Sequence, residues 1–160
     1  MFKSKYGIPS DLDECISKLN LKIDRNDPYV QFLREYNVVI LDDDPDIDYC
    51  VDCEGESLPL EVILGFSDEH REDLFEINDS YLDRIPENYL AVASMNYGDL
   101  LCISPEGKVY HWDHEVNDLY LDVSEINSYL EQDTDLQFVA NSFDEFLSKV
   151  TRIEFEEERD

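Results

Sequence analysis

Residues 85–115 read IPENYLAVASMNYGDLLCISPEGKVYHWDHE, and this stretch decides the fold. Ile85-Pro86 closes whatever comes before it, because proline disfavours helix at the residue it follows. Three short apolar runs come next: Leu90 to Ala93, Asp99 to Ile103, and Val109 to Trp112. Between the last two, Ser104-Pro105-Glu106-Gly107 has turn chemistry, with proline presetting φ and glycine free to take a positive φ. The spacing predicts an antiparallel hairpin that ends in Trp112-Asp113-His114-Glu115 and carries the chain's one tryptophan.

Working outward toward the N-terminus, Ser67 to Arg84 has helical spacing, with Leu74, Ile77 and Tyr81 facing inward. Leu58 to Phe66 has strand character, as does the β-branched run Val38 to Leu41. A helix over 28–36 is announced by Asp27 as N-cap and Pro28 at its first position, with Phe32, Leu33 and Tyr36 as its apolar stripe. Asn37 closes it in a left-handed cap. A shorter helix follows Pro9-Ser10-Asp11, with Leu12, Cys15, Ile16 and Leu19 directed at the second helix.

Toward the C-terminus, Leu119 to Leu121 reads as a strand and Ser124 to Leu130 as a helical turn or two. Leu136 to Ala140 is a clearer strand. It leads into Ser142-x-x-Glu145, a capping box that opens a helix bearing Phe143, Phe146, Leu147 and Val150 on one face. The reading is one α+β domain over 1–153, a central, mostly antiparallel sheet packed by helices, followed by a frayed acidic tail over 154–160.

Charge is the extreme feature. Forty acids against 12 bases leave a formal net charge of −28 on 160 residues. Such a surface repels phosphate backbones and anionic lipid, which disfavours direct binding of nucleic acid or membrane and favours a basic protein as partner. The bland alternative is that acidity only keeps the chain in solution. Apolar content of 42%, with ten Tyr and eight Phe, supports a real core. The opening Met1-Phe2-Lys3-Ser4-Lys5 lacks an apolar signal region, and no run reaches the roughly 18 residues of a membrane helix. A cytoplasmic location with reduced thiols is expected.

Two zones are free of bases. In the first, 42–56, eight carboxylates stand without a counter-charge: Asp42, Asp43, Asp44, Asp46, Asp48, Asp52, Glu54 and Glu56. Repulsion at this density predicts an extended loop or hairpin, and these eight are the expected partner-binding residues. The second zone runs from Asp113 to Ser148. An EF-hand loop beginning at Asp42 or Asp44 fails, because its sixth position would be Ile47 or Tyr49 and its twelfth Cys53 or Gly55.

Cys50-Val51-Asp52-Cys53 has the spacing of a zinc half-site or a redox pair. Cys15 and Cys102 are isolated, so a second pair is lacking, and the flanking carboxylates dull the thiols. Whether Cys50 and Cys53 take a metal stays open, and no metal or cofactor is expected. His111, Asp113 and His114 offer a rival, enzymatic reading as a hydrolase or metal site. An i, i+3 spacing on a strand sends the two imidazoles to opposite faces, and neither a nucleophile elbow nor a phosphate-cradling loop accompanies them. The plainer reading has Trp112 in the core, with Asp113 and His114 fixing the next turn.

The order Ile85-Pro86-Glu87-Asn88, Gly98 to Ile103, Gly107-Lys108-Val109-Tyr110 and Trp112-Asp113-His114-Glu115 resembles the SMI1/KNR4 (SUKH) family. Ser142 to Leu147 is similar to that family's closing helix, and Pro28 to Asn37 to its second. The chain departs from the pattern at Val38-Val39 and at Ser94 to Tyr97, where members carry glycines. The resemblance marks Pro86, Gly98, Trp112, Asp113 and His114 as signature residues of a fold. It implies no catalysis, and a protein-binding module of bacterial immunity type that neutralises a toxin, often a nuclease. A regulatory scaffold, as in fungal members, is the alternative it leaves.

Overall fold

A computed structural model describes residues 2–18, 23–53, 55–95, 98–113 and 136–155. Four α-helices lie among the described residues: α1 (Leu12–Ser17), α2 (Pro28–Glu35), α3 (Leu74–Ser80) and α4 (Phe143–Lys149). The strands are β1 (Val39–Ile40), β2 (Ile47–Cys53), β3 (Glu56–Ile63), β4 (Leu90–Met95), β5 (Leu100–Ile103), β6 (Val109–Trp112), β7 (Leu136–Ala140) and β8 (Thr151–Glu154). They form one eight-stranded sheet in the order β7-β6-β5-β4-β3-β2-β8, with β1 added on β3. Every pairing between these strands is antiparallel. A lone parallel bridge joins Gly65 to Asp73. The expected α+β architecture is thus the observed one. No helix among the described residues is long and apolar enough to cross a membrane.

The decisive hairpin forms as its sequence dictates. Ile103 pairs with Val109, Ser104 N–H bonds to Lys108 C=O at 2.8 Å, and Gly107 takes a φ of 85°. The strands β4 and β5 lie mid-sheet, and β4 is buried nearly throughout. Trp112 is 0% exposed and meets Tyr81 edge-on at 5.5 Å, as its assignment to the core requires.

On α2, Asp27 Oδ1 accepts from Tyr29 N–H, and the helix turns Tyr29, Val30, Phe32 and Leu33 inward. Val30 meets Leu12 and Ile16 of α1, and Leu19 lies outside the described residues. Tyr29 and Phe32 pack on Phe143 of α4 at 5.1 and 5.4 Å. Asn37 has a φ of 60°, the left-handed cap expected of it. Ser142 Oγ accepts from Glu145 N–H at 3.1 Å, while the Glu145 carboxylate reaches one residue further back, to Asn141 N–H at 2.8 Å.

Three expectations are corrected or narrowed. Helix does not begin at Ser67. A 3₁₀ turn over His70–Glu72 precedes α3, which starts only after Asp73 caps it through Glu76 N–H. The chain there is pinned by the Gly65–Asp73 bridge and cannot be helical. Second, from Ile47 onward the acidic zone takes the hairpin form of the two expected for it, because Cys50, Val51 and Cys53 of β2 are buried and anchor it against β3. Third, Glu154 is not in a frayed tail. It is the last residue of β8 and lies opposite Ile47, and Phe155 N–H bonds to Asp46 C=O at 2.7 Å. Residues 156–160, and the elements expected over 119–121 and 124–130, lie outside the described residues.

Candidate functional site

The described acids of the first base-free zone fall in two groups, with Asp48 between them. Asp42, Asp43, Asp44 and Asp46 occupy the loop that carries the chain from β1 into β2. Asp44 shapes that loop, since its Oδ1 accepts from Asp46 N–H at 2.9 Å and its carbonyl from Ile47 N–H at 3.2 Å. Asp48 follows on β2, half-buried opposite Ile153. Asp52 and Glu56 stand exposed at the far end of the β2–β3 hairpin, where Cys53 pairs with Glu56. Asp46 and Asp52 are six steps apart along the strand, about 20 Å at about 3.3 Å a step. The zone is therefore two clusters at opposite ends of one strand. Glu54 lies outside the described residues.

Within the loop cluster the carboxylates differ. Asp42 is engaged by Arg71, whose guanidinium donates to both of its oxygens at 3.0 and 3.3 Å. Beside them burial pushes the Glu61 carboxyl above its ordinary value, and the Asp42 charge adds to this while Arg71 opposes it. Lys3 and Lys5 line a small cavity together with Asp43 and Ile40. Asp43, Asp44 and Asp46 remain exposed at the rim. They are the described acids of this zone that are gathered, outward-facing and held in shape by main-chain hydrogen bonds.

A third set of residues was not foreseen. Asn37, Glu72 and Asp73 are buried polar groups that fix the chain around Gly65 to Asp73. Asn37 bonds both main-chain groups of Phe66, and Asp73 accepts from Ser67 N–H at 3.0 Å. Glu72 is 2% exposed and receives Lys5, Tyr6 and Ser67, which straps the N-terminal segment to the body. Burial raises the Glu72 carboxyl, but these three donors outweigh it and leave it below the usual range. The Lys5–Glu72 contact joins positions 67 apart, so no local spacing could have announced it.

The imidazole of His111 is 5% exposed and fully engaged. Its Nε2 lies 2.7 Å from Asp99 Oδ2 and its Nδ1 3.2 Å from Gln137 Oε1. Burial alone would lower its affinity for a proton. The hydrogen bonds to Asp99 and Gln137, with the charges of Asp99 and Asp113, more than offset this and hold it above 6.5. Both ring nitrogens are occupied, so this histidine is arranged as a buried link between β5, β6 and β7. Asp113 is half-buried, and His114 lies outside the described residues.

Of the remaining signature residues, Gly98 needs its glycine, with a φ of 89° just before β5. Pro86 accepts from Tyr89 N–H at 3.2 Å in a turn that Asn88 completes at a φ of 71°. Cys50 and Cys53 are buried in β2, and burial pushes the Cys50 thiol up from its ordinary value. No group of three or more potential ligands is poised for a metal among the described residues.

Residues 9–149 match the family model described as SMI1 / KNR4 family (SUKH-1). A curated relative, described as SPbeta prophage-derived uncharacterized protein YokK of Bacillus subtilis (strain 168), is 33% identical over 89 residues. That match covers 55% of this chain and 39% of the relative, so the chain spans well under half of that protein's length. No solved structure matches the chain.

Proposed function

We propose that this chain, which belongs to the SMI1/KNR4 (SUKH-1) family, is a non-catalytic immunity protein that binds and neutralises a basic toxin of nuclease type. The observation that carries the reading is the loop between β1 and β2. It holds Asp43, Asp44 and Asp46 exposed in a fixed shape, on a chain whose formal net charge is −28. A protein that grips nucleic acid presents a basic cleft, and ordered carboxylates suit such a cleft as substitutes for phosphate. Opposite charges of this size also favour fast encounter that weakens with salt.

The state of His111 supports a binding role over chemistry, because neither ring nitrogen is free to accept a substrate proton or ligate a metal. Asp42 has a supporting place, its charge engaged by Arg71 beside the other three acids of the loop.

Expression with and without this chain of a toxin-type reading frame encoded beside it tests the proposal. The toxin alone should arrest growth and degrade nucleic acid, and this chain should abolish both while forming a stable complex with it. Persistence of nuclease activity with the chain folded and in excess would sink the reading.

A further inference from the structure

The strand β8 closes the described sheet and is bonded to β2 on one side only. Among the described residues nothing pairs with its outer side, and all four of its residues are exposed. Its register sets Ile47 opposite Glu154, Asp48 opposite Ile153 and Tyr49 opposite Arg152, and Phe155 N–H extends the ladder to Asp46 C=O. Bonded and non-bonded positions alternate in an antiparallel ladder. Thr151, Ile153 and Phe155 therefore direct their main-chain groups to β2, and Arg152 and Glu154 direct theirs to the open edge. Ile153 and Phe155 are 38% and 51% exposed on one face. Arg152 and Glu154 share the other face, where they form an ion pair.

We propose that this edge is the contact of a symmetric dimer, in which β8 pairs antiparallel with β8 of a second copy about Ile153. The bonding pattern and the charges select this register independently. Outward-directed residues must meet outward-directed residues, which sets Arg152 opposite Glu154 of the second copy, twice, with two hydrogen bonds in each pair. Ile153 then meets Ile153 at a non-bonded position, where the Cα atoms approach to about 4.5 Å. Sliding the pairing by one two-residue step sets either Arg152 on Arg152 or Glu154 on Glu154, and directly opposed like charges destabilise a ladder. An open edge is ordinarily blunted by charge. Here the charges are self-complementary in one register, as an isologous contact requires.

The two copies also repel each other, each carrying a formal −28. Salt screens that long-range repulsion more than it weakens the short contacts. Self-association should therefore tighten with salt, the reverse of what a basic partner would show, so this contact and the proposed toxin contact can fail separately.

Sedimentation over a range of concentrations, at low and high salt, tests it. The expected result is a monomer–dimer equilibrium that shifts toward dimer as salt rises. Arg152→Glu and Glu154→Arg should each weaken the dimer about tenfold by opposing like charges twice, and the double exchange should restore it. Under mild oxidation Ile153→Cys should give a disulfide-linked dimer well above the wild-type background, and Thr151→Cys, which would face Phe155, should not. A chain that stays monomeric throughout, a double exchange that fails to restore pairing, or an Ile153→Cys chain that does not cross-link would overturn the proposal.

Discussion

The side chain of Asn37 serves Phe66 as a neighbouring strand would: its Oδ1 accepts from Phe66 N–H at 2.8 Å and its Nδ2 donates to Phe66 C=O at 3.0 Å. The approach is so close that a Cβ on Gly65 would stand 2.4 Å from Asn37 Oδ1 and 2.7 Å from its carbonyl carbon. Gly65→Ala should therefore destabilise the fold by about 1–3 kcal/mol, the usual range for forced overpacking. Asn37→Ala should lose a similar amount by leaving a Phe66 main-chain group unpaired and putting alanine at positive φ. Chemical denaturation measures both. Either substitution proving neutral would show that the chain reorganises at little cost.

His111 makes stability depend on pH. Its proton is held more tightly in the folded chain than the ordinary 6.5 of a free imidazole. The stabilisation from the charged pair with Asp99 is thus complete below 6.5 and is lost as pH rises through the higher folded value. Asp99→Asn should cost about 1.5–3 kcal/mol at the acid side of that window. The gap from wild type should narrow as pH increases. A gap that does not change across that window would mean that His111 is buried neutral.

Glu72 acts in the opposite direction. Its carboxyl lies below the ordinary 4.5, so its hold on Lys5 and Tyr6 is present above 4.5 and fails as pH falls through the folded value. Hydrogen exchange over residues 2–8 should accelerate in that acid window. In Glu72→Gln it should already be fast at neutral pH. Equal protection in both chains would show that the segment is held by Phe2 packing on Phe32 and Tyr36.

Trp112 is the largest side chain that is fully buried among the described residues. Trp112→Ala should cost about 3–5 kcal/mol, and the native emission should be blue and resistant to quenchers. A red, freely quenched tryptophan would place it at a contact surface.

What was legible in the sequence was what neighbours in the chain decide. The hairpin turn at Ser104 to Gly107, the Asp27 cap and the Ser142 cap each need only residues two to four apart, and each forms. The strand β2 was legible only as one of two options, an extended loop or a hairpin, because Asp48 and Asp52 lie in a run of acids, yet Cys50, Val51 and Cys53 bury and fix it in the sheet. The short β8 was hidden in a run of charge, although Thr151-Arg152-Ile153-Glu154 alternates as a half-exposed strand does. The acidic loop was legible as composition but not as geometry. The Arg71–Asp42 contact spans 29 positions, and only the fold reveals which carboxylates are already engaged.

The central claim is that the loop between β1 and β2 meets a basic partner, and association kinetics with a nuclease-type toxin that the chain neutralises test it most directly. Asp43, Asp44 and Asp46 changed together to lysine should slow association and flatten its dependence on salt. Beyond the loss of the bond from Asp46 N–H to Asp44, unfolding should change little, since exposed charge substitutions alter stability by only about 0.5 kcal/mol each. The same number of reversals at the exposed acids Asp24, Asp79 and Glu106 should leave the rate close to that of wild type. Equal slowing by both sets would reduce the effect to net charge, and no slowing by the loop set would contradict the claim.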